Sequence, residues 1–193
     1  TGLCYRKEDG NLRDRFWGRV IFPIHSISGK VVAFGGRVLS SQTKNVQMKY
    51  VNSPESEIYH KSKELYGIYF AKQAIVRQDR CFLVEGYTDV ISMHQSGVEN
   101  VVASSGTALT PEQIQLLGRF THRVILVYDA DAAGLKASLA NCEAFLRAGF
   151  QVSAVPLPEG KDPDNIAQEQ KLETGKWLAN REQNFLQYFA ISL

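Results

Sequence analysis

The sequence predicts an α/β fold in which a parallel sheet is flanked by helices, preceded by a basic subdomain of mixed α+β structure. From residue 81 onward, short apolar runs alternate with helical patterns, whereas the preceding residues have hairpin and loop signals. The net charge is +7 over residues 1–78 and −5 over residues 79–164. We therefore expect a basic subdomain at 1–78, the sheet domain at 79–167 and a helical segment beginning at 168–193.

The elements of the basic subdomain are predicted from strand and turn signals. Residues 19–24 and 31–34 predict two strands joined by the turn Ser28-Gly29-Lys30, which together form a hairpin. Residues 40–56 are polar and contain Asn52-Ser53-Pro54, so we expect a loop there. Apolar residues near helical spacing then predict a helix over about residues 58–77.

In the alternating part, the continuous apolar run Cys81-Phe82-Leu83-Val84 predicts a strand that is buried on both faces. Further strands are predicted at residues 101–103, 124–128 and 151–155. Ser104-Ser105-Gly106-Thr107 predicts a tight turn at a strand end. Thr110-Pro111-Glu112-Gln113 predicts a helix start, with Thr as N-cap, Pro at the first helical position and Gln closing a capping box. Helices are predicted over residues 87–95 and 132–148, ending near Gly97 and Gly149, with one or two more in 168–193.

Composition excludes several classes of protein. The chain has 193 residues, of which 44% are hydrophobic and 22% charged, as in ordinary globular domains. No apolar run approaches the roughly 20 residues of a membrane helix, and the N-terminus has neither an initiator Met nor a signal-peptide pattern. Cys4, Cys81 and Cys142 are far apart, so zinc is not expected here. We expect a cytoplasmic protein without membrane contact, cut from a longer chain.

Carboxylates follow the predicted strands at the points where the strands end. Glu85 follows the first strand, Asp129 and Asp131 follow the third, and Asp162 and Asp164 follow the fourth. Because ligands gather at the carboxyl ends of parallel strands, we expect these side chains to lie close together. Each aspartate pair is spaced two apart, which in extended chain directs both side chains to one side. Oxygen ligands without His or Cys favour Mg²⁺ or Mn²⁺ over zinc.

Other interpretations of these residues stay open on spacing alone. Asp131 precedes a predicted helix and could be its N-cap, and Asp162 or Asp164 could cap the next one. A phosphotransfer receiver domain, or a hydrolase with an acidic pocket, would show a similar pattern. Gly86 and Gly134 flank the acids and would let a substrate backbone approach closely.

Two runs of residues resemble the motifs of the TOPRIM domain, which primases, topoisomerases and some nucleases share. These runs are Val84-Glu85-Gly86-Tyr87-Thr88-Asp89 and Tyr128-Asp129-Ala130-Asp131-Ala132-Ala133-Gly134. Further runs resemble the bacterial DnaG-type primases in particular, so that the resemblance covers nearly the whole chain. They are Phe22-Pro23-Ile24, Ala33-Phe34-Gly35-Gly36-Arg37, Lys49-Tyr50-Val51-Asn52-Ser53-Pro54, Ser105-Gly106-Thr107-Ala108-Leu109-Thr110 and Asp162-Pro163-Asp164.

The resemblance implies roles for individual residues. The residues it implies as catalytic are Glu85, Asp129 and Asp131. The implied metal ligands are Glu85, Asp129, Asp131, Asp162 and Asp164, supported by Asp89, Gly86 and Gly134. The implied nucleic-acid and nucleotide-binding residues are Arg37, Lys49, Tyr50, Asn52 and Lys61. The sequence leaves open whether Glu85 is a metal ligand or a general base.

The resemblance also implies a function, which is RNA primer synthesis on single-stranded DNA during replication. Divalent metal would bind the ribonucleoside triphosphate and activate the 3′-hydroxyl of the RNA primer. The replicative helicase would be contacted only through a C-terminal domain outside this chain. One alternative is another TOPRIM enzyme, a topoisomerase or nuclease that cleaves DNA with divalent metal. A second is a non-enzymatic nucleic-acid-binding module, which would leave the converging carboxylates without a purpose.

Overall fold

The structure is a computed structural model that describes residues 2–39, 48–105, 108–185 and 188. Contacts between Cα atoms divide the chain into two compact units, Thr1–Lys61 and Ser62–Leu193. The first unit ends earlier than the basic subdomain expected at residues 1–78, and that expected boundary stays a prediction. Among the described residues, no helix combines the length and the apolar character needed to cross a membrane.

The first unit is built from antiparallel strands. Its strands are β1 (Cys4–Arg6), β2 (Leu12–Asp14), β3 (Arg19–His25), β4 (Val31–Val38) and β5 (Tyr50–Asn52). β1 pairs with β2, and a separate sheet has the order β3-β4-β5. The predicted hairpin of residues 19–24 and 31–34 is confirmed as β3 and β4. Part of the loop predicted at 40–56 lies outside the described residues, and the described part contains β5, so the loop prediction was wrong for Tyr50–Asn52.

The β3–β4 hairpin is held by apolar burial and by one close backbone approach. Phe22, Ile24 and Ala33 are buried, and burial of side chains as large as Phe or Ile contributes roughly 1.5–3 kcal/mol each. At Gly36, an added Cβ would lie 2.6 Å from Cδ1 of Phe16. Glycine at this position therefore lets the Phe16 ring pack directly on the sheet.

The helix predicted from residue 58 begins only at Ile68, so its first half was predicted wrongly. The helix α1 spans Ile68–Gln78, and the residues before it form a short 3₁₀ turn (Lys61–Lys63) and isolated bridges. Tyr66 pairs with Ala103, which draws the chain into an extended path. Gly67 then adopts a φ of 87°, a left-handed conformation that ends this path and starts the helix.

The second unit contains the predicted parallel sheet. Its strands are β6 (Cys81–Val84), β7 (Val101–Ala103), β8 (Arg123–Leu126), β9 (Gln151–Ala154) and β10 (Gln183–Asn184). They lie in the order β10-β9-β8-β6-β7, and every pairing from β9 to β7 is parallel. β10 is antiparallel to β9 and lies in the segment predicted to be helical, so that segment was only partly predicted.

Helices cover both faces of this sheet, as predicted. They are α2 (Tyr87–Gln95), α3 (Pro111–Gly118), α4 (Ala132–Arg147), α5 (Pro163–Gln170) and α6 (Thr174–Ala179). Residues of α1, α3 and α4 pack with one face of the strands, and residues of α2, α5 and α6 pack with the other. Within β6, Cys81 and Leu83 face the first core while Phe82 and Val84 face the second. The α/β fold class is confirmed.

The predicted capping box at the start of α3 is confirmed. The Gln113 amide donates to the Thr110 hydroxyl at 3.2 Å, and the Thr110 amide donates to Oε1 of Gln113 at 3.1 Å. The Thr110 hydroxyl also donates to the Ser62 carbonyl at 2.5 Å, which ties the helix start to the segment preceding α1. Of the turn predicted at 104–107, Ser105 has a φ of 61°, and Gly106 and Thr107 lie outside the described residues.

Candidate functional site

The loops after three neighbouring strands of the second unit meet at one edge of the sheet. Glu85 directly follows β6, and Asp129 follows the end of β8, whose Leu126 lies in register with Leu83. The Asp129 amide donates a long hydrogen bond of 3.4 Å to Oε1 of Glu85. The Ala130 amide donates to the Lys161 carbonyl at 3.1 Å, which joins the third loop to the second. The expected convergence at the carboxyl ends of the strands is thus present.

Glu85 is half-buried and lies in the field of other carboxylates. Burial raises the pKa of Glu85, and the negative charges of Asp129 and Asp131 raise it further. The hydrogen bond from the Asp129 amide acts in the opposite direction and stabilises the ionised form. A carboxylate in this position would be stabilised by any positive charge brought close to it.

Asp89 is the carboxylate whose titration the site perturbs most clearly. It is 7% exposed and accepts a hydrogen bond of 2.9 Å from the Gly86 amide, at the first turn of α2. Burial, followed by the charges of other carboxylates and opposed by the Gly86 bond, raises the pKa of Asp89 to about 7. Those carboxylates belong to Asp129, Asp162 and Asp164. Asp89 therefore lies within the electrostatic reach of both other loops.

Two of the aspartates predicted as metal ligands act as helix N-caps. Oδ1 of Asp131 accepts from the Gly134 amide at 2.7 Å and caps α4. Oδ1 of Asp162 accepts from the Asn165 amide at 2.7 Å and caps α5, and Oδ1 of Asn165 accepts from the Asp162 amide at 3.2 Å to complete a capping box. The capping interpretation that spacing left open is therefore correct for both residues. Each cap uses one oxygen of a carboxylate that has two.

Asp164 lies in the first turn of α5, so the expected extended spacing between Asp162 and Asp164 was wrong. Pro163 occupies the first helical position, where its fixed φ favours a helix start. Oδ1 of Asp164 accepts a short hydrogen bond from the Ser92 hydroxyl and one of 2.8 Å from Nε2 of Gln168. Ser92 was missed from the sequence. Its position three residues after Asp89, on the same side of α2, is the signal that could have found it.

Gly134 is required because the backbone at Asp129 lies directly against it. A Cβ added at Gly134 would come within 2.2 Å of the Asp129 carbonyl oxygen, closer than real atoms approach. At Gly86 the constraint is milder, since an added Cβ would lie 3.2 Å from Oδ2 of Asp89. Gly134 therefore supports the site by letting the start of α4 pack on the Asp129 segment.

The carboxylates are gathered, but they do not form a complete metal cage. Within the parts of the chain that the structure describes, no three His, Cys, Asp or Glu side chains are grouped so as to hold one ion together. The donors are nevertheless oxygens, which hard divalent cations prefer, and burial together with their charges raises the pKa values of Glu85 and Asp89. This chemistry fits a hard divalent cation, because such an ion can take one or two carboxylates and complete its shell with water and phosphate.

The predicted nucleic-acid-binding residues all belong to the first unit. Arg37 on β4 lies opposite Tyr50 on β5, and its guanidinium stands 5.5 Å from the centre of the Tyr50 ring. Lys49 is exposed beside them, and Asn52 pairs with Gly35 at the other end of β5. The structure thus brings four of the five residues to one edge of the β3-β4-β5 sheet.

The fifth predicted binding residue, Lys61, lies apart from this edge along the chain. Its amide donates to Oε1 of Glu55 at 2.9 Å. Burial lowers the pKa of Lys61, and the nearby charge of Glu55 partly opposes that shift. For Lys61, burial disfavours the charged ammonium more than the charge of Glu55 stabilises it. A phosphate nearby would therefore stabilise the charged form further.

Comparisons with known families decide the relationship. Residues 1–72 match the family model described as DNA primase catalytic core, N-terminal domain, and residues 82–167 match the Toprim-like model. The DNA primase of Clostridium acetobutylicum is 43% identical over 188 residues, which cover 97% of this chain. The chain belongs to the DnaG-type DNA primase family. It spans about 30% of the length of that relative, so it corresponds to part of the family's catalytic core.

Solved primase structures have the same fold. The Escherichia coli primase catalytic core aligns with a TM-score of 0.86 at 39% identity, covering 100% of this chain and 61% of that one. A DnaG primase catalytic domain bound to single-stranded DNA aligns with a TM-score of 0.83 at 40% identity, covering 95% and 59%. The Toprim domain and the primase core generally imply use of a divalent metal. The resemblance to primases that the sequence motifs indicate is confirmed.

Proposed function

We propose that this chain is the part of a primase that carries out RNA primer synthesis on single-stranded DNA by metal-dependent nucleotidyl transfer. The observation that carries the proposal is the convergence of carboxylates at the carboxyl ends of β6, β8 and β9, with raised pKa values at Glu85 and Asp89. Membership in the primase family makes nucleotidyl transfer the reaction that this acidic edge serves best. The relatives are primases, so a topoisomerase or nuclease is not favoured.

In this proposal, the acidic residues hold the divalent metal. The first ligands are Glu85 and Asp129, which are neighbours because the Asp129 amide donates to the Glu85 carboxylate. Further oxygen ligands come from Asp131, Asp162 and Asp164. Asp89 supports the ligands indirectly, because it accepts the Gly86 amide and so holds the start of α2. Bound Mg²⁺ or Mn²⁺ would neutralise the triphosphate and favour ionisation of a 3′-hydroxyl. Zinc has no suitable ligand set among the residues that we assign.

The protein's own residues prepare that chemistry by position. Caps at Asp131 and Asp162 fix the starts of α4 and α5, whose positive dipole ends face the acidic edge. These helix starts reduce the repulsion between the gathered carboxylates and an incoming phosphate. Glu85 and Asp129 can therefore approach a charged substrate once a cation is present.

The basic edge of the first unit would bind the polynucleotide. Arg37 and Lys49 attract phosphate, Tyr50 offers a ring for stacking, and Asn52 and Lys61 add polar contacts. Neither phosphate contacts nor stacking depends on base sequence. This independence suits an enzyme that must accept templates of any sequence. Single-stranded DNA is the proposed template because a similar DnaG catalytic domain was solved bound to it.

The remaining assignments concern the longer protein. We propose ribonucleoside triphosphates as substrates, an RNA primer as product, a cytoplasmic location, and contact with the replicative helicase through a domain outside this chain. We also assign residues 1–78 to the family's N-terminal subdomain, 79–167 to the Toprim domain and 168–193 to the start of a helical subdomain.

Titration with Mn²⁺ followed by a nucleoside triphosphate tests the acidic site. Calorimetry should detect Mn²⁺ binding to the wild type, and Asp129→Asn should weaken it at least about tenfold, since one charged ligand is lost. Nucleotide should bind only after Mn²⁺ is present. The matched control is Asp79→Asn, the same chemical change two residues before β6, at the opposite edge of the sheet.

The outcomes separate the possible roles of the carboxylates. Equal loss in the Asp129→Asn and Asp79→Asn variants would mean that Mn²⁺ binds through general surface charge. Unchanged binding in Asp129→Asn would mean that Asp129 is not a ligand, and it would contradict the proposed metal site. Metal-dependent nucleotide binding with no primer formed on single-stranded DNA would restrict the proposal to substrate binding.

A further inference from the structure

Trp17 is presented to solvent at the tip of a turn in the first unit. Its side chain is 84% exposed, the largest exposed fraction among the large hydrophobic residues that the structure describes. Its neighbour Phe16 is buried and packs edge-on against Phe34, with ring centres 6.5 Å apart. The turn thus sends one aromatic ring into the core and the next one outward.

The turn that carries Trp17 is held in place by hydrogen bonds on both sides. The Phe16 amide donates to Oδ1 of Asp14 at 3.1 Å, and the Arg19 amide donates to the Phe16 carbonyl at 3.1 Å. The Arg15 amide donates to the Leu3 carbonyl at 2.8 Å, which ties the turn to the strand ribbon of β1 and β2. Trp17 is therefore displayed on a backbone held by hydrogen bonds, so the turn that carries its ring loses little freedom when it binds a partner.

A second exposed aromatic residue lies on the same ribbon, beneath a cation. Tyr5 on β1 is exposed, and the guanidinium of Arg15 stands 5.8 Å from the centre of its ring. Basic residues outnumber acidic ones between residues 2 and 19. The basic residues are Arg6, Lys7, Arg13, Arg15 and Arg19, and the acidic ones are Glu8, Asp9 and Asp14. Oxygens of Asp9 and Asp14 already accept backbone amides, so these two acids serve the local turns.

The turn is continuous with the predicted nucleic-acid-binding edge. The Arg19 guanidinium donates to the carbonyls of Met48 and Lys49 at 2.9 and 3.1 Å. Trp17 is two residues from Arg19, and consecutive Cα atoms are about 3.8 Å apart, so its backbone lies within about 8 Å of the Arg19 Cα. Within the first unit, Arg19 thus links the turn that carries Trp17 to the backbone at Lys49.

We propose that Trp17, together with the Arg15–Tyr5 pair, is a stacking surface that extends the binding track for single-stranded nucleic acid beyond Lys49 and Tyr50. Exposed aromatic rings interleaved with cations suit unpaired bases joined by phosphates, because the rings stack on bases and the cations attract the backbone. A buried or paired base cannot offer its face to such a surface. The inference rests on the proposed function and names a second part of the chain that the template contacts.

Tryptophan fluorescence offers a direct test, because the chain has two tryptophans and the second, Trp177, lies in α6. In a Trp177→Phe background, Trp17 is the sole tryptophan. Addition of a thymidine oligonucleotide of about 12 residues, in the size range of single-strand sites, should quench its emission. A pre-formed duplex of the same length should quench it much less, since its bases are already stacked.

Affinity measurements on variants separate stacking from other contacts. Trp17→Ala should weaken oligonucleotide binding by about 5- to 100-fold, the range for loss of one stacked base, whereas Trp17→Phe should retain most of the affinity. The matched control is Leu12→Ala, which removes an exposed aliphatic side chain from β2 of the same ribbon. Because an aliphatic side chain offers no ring for stacking, this control should change affinity less than about twofold.

Each alternative result has its own meaning. Binding without quenching of Trp17, or equal quenching by the duplex, would overturn the stacking surface while leaving the proposed function intact. Equal losses of oligonucleotide affinity in Leu12→Ala and Trp17→Ala would also overturn it, because affinity would then not depend on an aromatic ring. If the wild type does not bind the oligonucleotide at all, the proposed function fails together with this inference.

Discussion

At the residue scale, the pKa of Asp89 is raised both by burial and by the negative charges of the acidic edge. Asp89 is nearly inaccessible to solvent, yet it lies near enough to Asp129, Asp162 and Asp164 for their charges to oppose its ionisation. The site therefore stores electrostatic repulsion in the folded protein, and a cation at the acidic edge would relieve it. This coupling makes stability and cation binding depend on the same residues.

The first prediction concerns pH in the absence of divalent cations. The pKa of Asp89 rises from 3.8 to about 7 on folding, so the folded protein retains a proton that the unfolded chain releases. The resulting stability is fully present below pH 3.8 and is lost as the pH rises through about 7. Urea unfolding in EDTA should show a free energy of unfolding lower at about pH 8 than at about pH 5. Asp89→Asn should remove on the order of 2 kcal/mol of that difference.

Glu85 shifts in the same direction, so part of the pH dependence should remain in the Asp89→Asn variant. An identical pH dependence in wild type and variant would contradict the assignment to Asp89. Saturating Mn²⁺ should flatten the wild-type pH dependence if the cation binds at this edge.

The second prediction concerns Gly134, where added volume meets backbone. Gly134→Ala places a Cβ 2.2 Å from the Asp129 carbonyl, so α4 or the Asp129 loop must move. We expect a loss of about 3 kcal/mol in the free energy of unfolding, measured in urea, because neither backbone segment can rotate away. Gly175→Ala is the control, since its Cβ would meet Val98 at an ordinary 3.7 Å. That change should be neutral or stabilising by up to about 1 kcal/mol, and equal losses in both variants would contradict the steric explanation.

At the element scale, the start of α3 shows how one side chain joins two segments. The third prediction is that Thr110→Ala lowers the free energy of unfolding by about 1–2 kcal/mol, because it removes the cap of Gln113 and the partner of the Ser62 carbonyl. Thr110→Ser keeps the hydroxyl and should cost less than about 0.5 kcal/mol. Equal effects of the two substitutions would show that the methyl group matters, not the hydroxyl.

Elements with strong local signals could be predicted from the sequence. The strand at residues 81–84 is an uninterrupted apolar run, and α3 carries a complete capping box. Elements fixed by distant partners could not. β10 has two residues and depends on pairing with β9, and the start of α1 depends on the bridge between Tyr66 and Ala103.

The same division holds for the candidate site. The convergence of the carboxylates could be predicted from their positions after the strands, because the carboxyl ends of parallel strands lie at one edge of the sheet. The sequence could not reveal which oxygens are used as caps, since Asp131 and Asp162 fit both roles equally well by spacing. Nor could it reveal the contact of Ser92 with Asp164, which joins residues 72 positions apart.

At the scale of the whole molecule, the net charge of +2 is the sum over regions of the sequence with charges of opposite sign. Residues 1–78 carry +7 and residues 79–164 carry −5, so a polyanion should bind the first region and cations the second. The salt dependence of DNA binding should therefore be determined by residues of the basic region alone. Neutralising a lysine in the acidic region should have little effect on it.

The last prediction follows from that separation. Binding of single-stranded DNA should weaken linearly in a plot of log affinity against log salt, with a slope of about −0.7 for each phosphate contacted. Arg37→Gln and Lys49→Gln should each reduce the steepness by about 0.7, and together by about 1.4, because each removes one phosphate contact. Lys136→Gln on α4, within the acidic region, is the control and should leave the slope unchanged. Weaker binding with an unchanged slope would mean that Arg37 acts mainly by supporting the Tyr50 ring, on which its guanidinium is stacked.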